Sequence, residues 1–379
     1  MNQLASVALT VLWLGWLGTV SFGDVQRLPL KMEPVWPEPR ADAPGPFRGH
    51  DLPRLRGVMS PNQCREEDFA ELARWNVNCM RWQLCRNWGV ANSDQDLAEY
   101  DRWLDGRLAV LDKALVLAKR HGIRMVIDLH SPPGGRLPDD TMTMTQVSAF
   151  QDHFVEVWER MATRYKGNPA VWAYDLINEP VQHQPSPVGV ADWLGMQVRA
   201  AKAVREIDAL TPIMITTDDW SSPTGFARLA EVDVPRVIYQ VHMYEPHGYT
   251  HQGVKGPVPN PAPAYPGMLG NKRVDKEALR RILQPVRDFQ RAHNVHIYVG
   301  EFSAIRWAPG ADRYLADCID LFEEYDWDWT YHAFREWPGW SIEHLELPVD
   351  KNHHEKAATD TARARVLKGW WAKNNRTPV

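Results

Sequence analysis

Cysteine is scarce in this chain of 379 residues, and neither sign of charge is in large excess. The four cysteines, Cys64, Cys79, Cys85 and Cys318, contain no CxxC pair, which disfavours a zinc site of the usual spacing. Spacing does not pair them either, so a disulfide and buried free thiols are both open. The net charge of −5 and the absence of a long basic run give no indication of a nucleic-acid partner.

Long apolar runs are absent except at the N-terminus. Residues 4–20 are almost wholly apolar, and the small residues Ser21 and Gly23 precede Asp24. This pattern predicts a signal peptide over residues 1–23 and a secreted or periplasmic protein, although no positive charge precedes the run. An uncleaved membrane anchor is the alternative, and the run is slightly short for one.

The segment after this run is rich in proline and charged residues. Residues 24–53 are therefore predicted to form a linker or an N-terminal strap. Residues 54–374 are long enough for one large barrel, which typically needs about 250 residues plus insertions. No sequence repeat is visible in that region.

Tryptophan is abundant, with 18 residues against 10 phenylalanines. An indole presents a flat apolar face and one N–H donor, which matches the apolar faces and hydroxyl edges of sugar rings. Any single tryptophan is more often a core residue. The excess as a set nevertheless favours a carbohydrate-binding cleft.

Short apolar runs alternate with segments of helical periodicity along residues 54–374, as in parallel βα units. Eight strands are predicted, at 55–59, 78–83, 124–130, 172–178, 213–217, 237–243, 296–301 and 329–337. Helices are predicted at 104–120, 147–165, 191–207, 276–293, 312–325 and 356–371. The order predicts an α/β fold, a (β/α)8 barrel in a single domain.

Three of the loops that follow predicted strands are long, at 131–146, 181–190 and 245–273. In such a barrel every loop after a strand lies on the C-terminal face, where active sites are built. We therefore expect these loops to form the walls of a groove. Tolerated surface insertions are the alternative.

Two glutamates end predicted strands. Glu179 follows Asn178 and precedes Pro180, which cannot continue a strand ladder. Glu301 follows Gly300 at the end of the predicted seventh strand. The two are 301 − 179 = 122 residues apart, which places them on strands four and seven when the long 245–273 loop is counted.

A pair of carboxyls at one barrel mouth suits cleavage of a glycosidic bond. One carboxylic acid protonates the leaving oxygen and the other, ionised, attacks the anomeric carbon. The pKa values of the two must be pushed apart for both roles to coexist at one pH. A single glutamate at a strand end is as often a solvated rim residue or part of an ion pair.

The region from 55 to 342 resembles glycoside hydrolase family 5, the cellulase family of retaining (β/α)8 hydrolases. Asn178-Glu179-Pro180 is similar to the acid/base motif of that family, and Gly300-Glu301-Phe302 is similar to its nucleophile motif. The resemblance implies that Glu179 is the general acid/base and Glu301 the nucleophile. It requires no metal and no organic cofactor.

The resemblance also implies roles for residues at other strand ends. Arg81 on strand two is expected to keep the nucleophile ionised, and His130 after strand three to contact the sugar in the cleaved subsite. Asn178 is expected to bind the sugar 2-hydroxyl. His242 and Tyr244, after strand six, are expected to hydrogen-bond near the acid/base and the nucleophile respectively.

Aromatic platforms are expected beside these polar groups. Trp337, taken to end strand eight, resembles the platform under the reacting sugar, and Trp220 is a further candidate. Four other tryptophans near strand ends are weaker candidates for outer subsites, namely Trp82, Trp88, Trp307 and Trp340. The spacing of His242, His247 and His251 follows no standard zinc pattern, so we expect no metal site there.

The resemblance implies a double displacement with net retention, by which the enzyme cleaves a polysaccharide or oligosaccharide. A β-1,4-glucan is the expected substrate because it is the commonest in the family, while a mannan and exo-acting cleavage are alternatives. A block by the 245–273 loop would favour exo action. A non-catalytic carbohydrate-binding barrel is the alternative from another functional class. No protein partner or oligomeric state is indicated.

Overall fold

The computed structural model describes residues 45–60, 65–347 and 355–376, all within one compact unit. Eight parallel strands close into a barrel in which each strand pairs with its sequence neighbours and the eighth pairs with the first. Numbered β1 to β8 in chain order, they are Arg56–Ser60, Cys79–Gln83, Arg124–Asp128, Val171–Asp175, Ile213–Thr216, Val237–Met243, Ile297–Phe302 and Asp328–His332. The predicted (β/α)8 fold is confirmed.

Helices connect the strands outside the barrel. The longer ones, α1 to α7, are Glu66–Arg74, Leu97–His121, Ser148–Tyr165, Trp193–Ile207, Lys276–His293, Ala311–Glu324 and Ala362–Trp371. Short helical turns lie at Thr143–Thr145, Asp218–Ser221, Pro223–Ala227 and His247–Thr250. The side chain of Asp192 caps the N-terminus of α4, and Gly122 ends α2 with φ 65°.

Some element boundaries differ from the predictions. The eighth strand ends at His332, so the predicted strand 329–337 was too long and Trp337 lies in the following loop. A run rich in aromatic residues looks like a strand, but the chain leaves the barrel once its pairing with β1 ends. The helix Glu66–Arg74 was missed, and the predicted 245–273 loop ends in a hairpin of Gly267–Leu269 and Lys272–Val274.

Two apolar clusters hold the barrel together. One fills the lower barrel interior, and its members are Leu52, Leu55, Cys79, Val126, Trp172, Ala173, Met214, Ile238 and Tyr298. The other packs the outer face of the sheet against the helices. The catalytic candidates Glu179 and Glu301 lie above the lower cluster, at the C-terminal end of the barrel.

The N-terminal end of the barrel is closed by the chain that enters β1. Asp328, at the start of β8, accepts hydrogen bonds from the Leu55 amide at 2.7 Å, from His50 at 2.6 Å and from His296 at 2.7 Å. Phe47 packs against the lower apolar cluster. Residues 45–55, which include the last part of the predicted strap, therefore contact the end of the barrel opposite to Glu179 and Glu301.

Several predictions fall partly or wholly outside the described residues. The predicted signal peptide and most of the 24–53 segment do so, and secretion stays a prediction. No helix in the described part of the chain is long and apolar enough to cross a membrane. Cys79 and Cys318 are free thiols, whereas Cys64 is not among the described residues.

Candidate active site

Glu179 and Glu301 meet at the C-terminal mouth of the barrel. A carboxylate oxygen of each and one nitrogen of His242 all lie within 4.8 Å of one another. Glu301 lies within β7, while Glu179 lies four residues past the end of β4 with a positive φ of 46°. Arg136 holds this turn by donating to the carbonyl oxygens of Asn178 and Glu179, at 3.2 and 2.8 Å.

Arg81 is the fully buried cation beneath the site. Its guanidinium donates to Glu301 at 2.7 Å, to Asp175 at 2.8 Å and to the Asn178 side-chain oxygen at 2.9 Å. One of its nitrogens also lies 3.1 Å from Asp128. The fork of N–H donors thus binds groups from three other strand ends, and only arginine offers that geometry.

A chain of hydrogen bonds orients the predicted sugar-binding residues. His130 Nδ1 lies 2.8 Å from a carboxylate oxygen of Asp128, and His130 Nε2 lies 3.1 Å from the Asn178 amide nitrogen. Because that amide group donates, the neutral ring accepts on Nε2 and carries its proton on Nδ1, toward Asp128. Asp128 thereby fixes the tautomer of His130.

His242 contacts the first glutamate and is positioned by a glycine. Its Nδ1 lies 2.8 Å from Glu179 Oε1 and 3.9 Å from Glu301. A Cβ added at Gly300 would overlap the side-chain oxygen of Gln240 and come within 3.0 Å of His242 Nε2. Gly300 therefore leaves the space that His242 occupies, next to the register shift between β6 and β7.

Tyr244 contacts the second glutamate. Its hydroxyl donates to Glu301 Oε2 at 2.6 Å and also lies 2.5 Å from His332 Nδ1. His332 Nε2 in turn lies 2.8 Å from Glu336. The sequence prediction that Tyr244 lies near the Glu301 carboxylate agrees with this geometry, and His332 and Glu336 extend the contact outward.

The charges around Glu301 keep it ionised. Burial by itself raises the pKa of Glu301, but the electrostatic effects of His242, His332 and Arg81 outweigh burial and hold that pKa well below its ordinary value. Burial raises the pKa of Asp175 to about 6, although Arg81 opposes the shift. Glu301 is therefore the carboxylate of this cluster that is best suited to act as an anion.

Two tryptophans enclose Arg136 at one side of the mouth. Its guanidinium lies 5.3 Å from the ring centre of Trp88 and 4.9 Å from that of Trp220. Trp88 is 49% exposed and its ring centre lies 4.9 Å from that of His130. Trp88 and Trp220 therefore present aromatic surface next to the predicted sugar-binding residues.

The structure does not place Trp337 where the sequence prediction put it. Trp337 lies in the loop after β8, with its ring centre 5.8 Å from that of Trp340 and 6.2 Å from that of Trp307. Trp340 is nearer the site, 5.4 Å from the ring of His332. The side chain at the end of β8 is His332, so a histidine occupies the strand end that was expected to carry a tryptophan.

Metal-binding potential is limited to two sets among the described residues. One is Glu179, His242 and Glu301, and the other is His50, His296 and Asp328 at the opposite end of the barrel. Hydrogen bonds already join His242 to Glu179 and both lower histidines to Asp328.

The rings of His247 and His251 stack at 3.8 Å, and burial lowers the pKa of His251 to about 3, so its ring is neutral.

Sequence reasoning missed five residues of this cluster. They are Asp128, Asp175, Gln240, His332 and Glu336, and Gln240 donates to Asp175 at 3.0 Å. Four of them lie in or directly beyond strands whose inward positions alternate, as with Asp328, Thr330 and His332 on β8. That alternation was readable for His332 once the start of β8 was known, whereas Glu336 lies in an irregular loop and gave no pattern.

Comparison with known proteins identifies the family of this site. The family model described as cellulase (glycosyl hydrolase family 5) matches residues 42–336. The chain belongs to glycoside hydrolase family 5. This family 5 protein is therefore a glycoside hydrolase of the cellulase type, and its substrate is a carbohydrate.

Curated relatives are similar over most of the barrel. Endoglucanase C of Acetivibrio thermocellus is 29% identical over 287 residues, which cover 69% of this chain and 81% of the relative. Cellodextrinase A of Ruminococcus flavefaciens is 22% identical over 248 residues, 64% of this chain and 70% of the relative. Both names describe hydrolases, the first an endoglucanase and the second a cellodextrinase.

A solved structure shares the same architecture. Thermotoga maritima Cel5A in complex with cellobiose superposes with a TM-score of 0.64 at 19% identity, covering 85% of this chain and 99% of that one. At this identity, the similarity is evidence for the fold of the family 5 chain only, which is the (β/α)8 barrel.

Proposed function

We propose that this protein is a retaining endo-β-1,4-glucanase in which Glu301 is the nucleophile and Glu179 the general acid/base. The observation that carries the proposal is the approach of a Glu179 oxygen and a Glu301 oxygen within 4.8 Å. Retaining enzymes hold their carboxyls about 5–5.5 Å apart, whereas inverting enzymes leave about 6.5–9.5 Å for a water molecule. The short separation supports retention.

The assignment of roles rests on the surroundings of each carboxyl. Glu301 receives hydrogen bonds from Arg81 and Tyr244, which favour the anion. Among the residues that the structure describes, no arginine contacts the Glu179 carboxyl, which meets His242 through one oxygen and leaves the other for a leaving group or water. A carboxyl with one oxygen available to the leaving group or to water is better suited to transfer a proton.

The reaction then proceeds in two displacements. In the first, an oxygen of Glu301 forms a bond to the anomeric carbon while the glycosidic bond breaks and the Glu179 proton passes to the leaving oxygen. In the second, Glu179 takes a proton from water as the water oxygen attacks the anomeric carbon and the ester bond to Glu301 breaks. Both glutamates return to their starting protonation states, and the anomeric configuration is retained.

Several features support a β-1,4-glucan as substrate. Endoglucanase C of Acetivibrio thermocellus, which matches over 287 residues, is an endoglucanase by name, and the exposed ring of Trp88 lies beside His130 at the mouth. A mannan and exo cleavage are tested by the same panel of substrates. Release of oligosaccharides of several lengths from soluble β-1,4-glucan supports endo action, and release of one short product alone contradicts it.

Trapping with azide tests the two roles separately. A Glu301→Gly variant, supplied with azide and an activated aryl β-cellobioside, is expected to form the inverted α-glycosyl azide, since azide attacks from the vacated side. A Glu179→Ala variant is expected to form the β-glycosyl azide from the covalent intermediate. Exchanged products would contradict the assignment.

Glutamine substitutions give the matching loss of activity. Glu179→Gln and Glu301→Gln are each expected to reduce hydrolysis of soluble β-1,4-glucan by about 10³-fold or more, because each glutamate acts in both displacements. Glu156→Gln, on the exposed side of α3, is the control and should retain full activity. Undiminished hydrolysis in either of the first two variants would overturn the proposal.

A further inference from the structure

The end of β8 places a charged pair against the nucleophile. Asp328, Thr330 and His332 alternate along this strand, so all three face the barrel interior and His332 is the one at the mouth. The His332 side chain is only 12% exposed and its Nδ1 lies 3.9 Å from Glu301 Oε2. Glu336, four residues later, turns back to contact His332 Nε2 at 2.8 Å.

The protons in this chain of contacts can be counted. A neutral tyrosine hydroxyl has a single proton, and that of Tyr244 goes to the anionic Glu301. The second contact of this hydroxyl, 2.5 Å from His332 Nδ1, must then be one in which Nδ1–H donates. Since His332 Nε2 also faces a carboxylate, that of Glu336, both ring nitrogens carry protons and the ring is an imidazolium.

We propose that His332, held by Glu336, is a positioning residue that directs the proton of Tyr244 onto the nucleophile Glu301. If Nδ1 lost its proton it would become an acceptor, and the Tyr244 proton would turn to it and away from Glu301. The nucleophile would then lose a hydrogen bond that fixes the orientation of its outer oxygen. This role deepens the double displacement proposed above and rests on it.

The surrounding groups favour the charged ring. Burial lowers the pKa of His332, but Glu336 from its own loop and Glu301 from β7 outweigh burial, with a smaller effect of Glu179, and raise that pKa to about 9. His251, from the loop after β6, lies near the His332 ring but carries no charge. Burial, His247 and His332 lower the pKa of His251 to about 3. The negative charges of the carboxylates therefore have the largest electrostatic effect on the His332 ring.

Nuclear magnetic resonance gives a test that needs no catalysis. In protein labelled with ¹⁵N-histidine, the resonances of His332 are assigned by their loss in a His332→Gln variant. We expect both ring nitrogens of His332 to be protonated at pH 7 and to titrate with a midpoint near 9. A neutral ring at pH 7 would overturn the proposal.

Kinetics test the coupling to Glu301. A dinitrophenyl β-cellobioside suits this purpose because its leaving group departs without a proton from Glu179, so kcat/KM reports the attack by Glu301. For the unaltered enzyme kcat/KM is expected to fall through an ionisation near pH 9. In Glu336→Gln the midpoint should move down by about one pH unit, since the ring loses an anion.

Substitution of the ring itself gives the second kinetic arm. His332→Gln should lose the ionisation near pH 9 and lower the plateau of kcat/KM by about 10- to 100-fold, the range for loss of a hydrogen bond to a charged group. His153→Gln and Glu156→Gln are matched controls, since that histidine–glutamate pair lies on the outer face of α3 at 2.9 Å. Both controls should keep the profile of the unaltered enzyme.

The outcomes separate this inference from the function on which it rests. If the unaltered enzyme hydrolyses the cellobioside and both Glu336→Gln and His332→Gln keep its midpoint and plateau, the role of His332 is overturned while the function stands. If the unaltered enzyme releases no product from any β-glycan or aryl glycoside, the proposed function fails. Circular dichroism and Tm must match those of the unaltered enzyme, and a variant that unfolds is replaced by His332→Asn in the same test.

Discussion

At the scale of single residues, Arg81 connects the chemistry to the fold. Its position on β2 was evident from the sequence, and so was a carboxylate partner, since a buried arginine requires one. The three further partners were not evident, because Asp128, Asp175 and Asn178 come from strands that are distant in sequence. A single sequence gives strand ends, but not which side chains turn toward one another across the barrel.

The geometry of Arg81 predicts that lysine cannot replace it. Arg81→Lys keeps the charge but can satisfy fewer of the four partners, and we expect kcat/KM to fall by about 10²-fold. The pKa of Glu301 should rise as this cation weakens its hold, so the acidic limb of the pH profile should move to higher pH. A pH–rate series on an aryl cellobioside measures both changes, and an unmoved acidic limb would contradict the electrostatic role of Arg81.

At the scale of elements, the sequence predicted strands and helices well where packing and local pattern agree. The helix Lys276–His293 has the predicted bounds, with a side-chain cap from Asp275 and an end at Asn294 in the left-handed region. The end of β8 was wrong because aromatic residues suit both a strand and a packed loop. That error moved the expected platform from the strand end to Trp337 and hid His332.

The β6–β7 pair predicts a steric role for Gly300. Gly300→Ala places a Cβ against Gln240 and His242, so we expect overpacking of about 1–3 kcal/mol and a fall of about 10-fold or more in kcat as His242 shifts from Glu179. Urea unfolding and steady-state kinetics measure the two effects.

Gly106→Ala supplies the comparison for that substitution. A Cβ at this position of α2 meets nothing within 4 Å, so the change should leave kcat intact and leave stability unchanged or raised by up to about 1 kcal/mol. Equal behaviour of the two variants would show that Gly300 is not sterically required.

At the scale of the whole molecule, the two ends of the barrel have separate tasks. The carboxyls of the site lie at the C-terminal end, whereas Asp328 ties the chain at Leu55 and His50 to the N-terminal end. In barrels of this kind the upper face carries catalysis and the lower face carries stability. Stability and turnover should therefore respond to different substitutions.

Asp328→Asn tests that separation. Loss of the charge that accepts three hydrogen bonds should lower the free energy of unfolding by about 2–5 kcal/mol at pH 7, while kcat of the folded protein is unchanged. Burial raises the pKa of Asp328, but His296 and His50 outweigh it and hold that pKa below its ordinary value. Its stabilisation is thus present above pH about 4 and is lost as the pH falls, so the gap between the two proteins should narrow in acid.

Urea unfolding at pH 7 and pH 3.5 measures this gap. Asp112→Asn, which breaks an exposed ion pair with Arg164, is the control and should cost less than about 1 kcal/mol. A fall in kcat for Asp328→Asn in fully folded protein would contradict the separation of the two ends.

Because of the contacts of Arg81, the catalytic centre can form only in the complete barrel. The carboxylates that it neutralises come from β3, β4 and β7, so a fragment that ended before β7 would retain the arginine and lose the nucleophile. The complementary fragment, which contains β7, would bury the Glu301 carboxylate without the Arg81 guanidinium that neutralises it. Activity should therefore appear only when the last strands of the barrel have paired. An enzyme split into two fragments should recover turnover in step with the reassociation of those fragments.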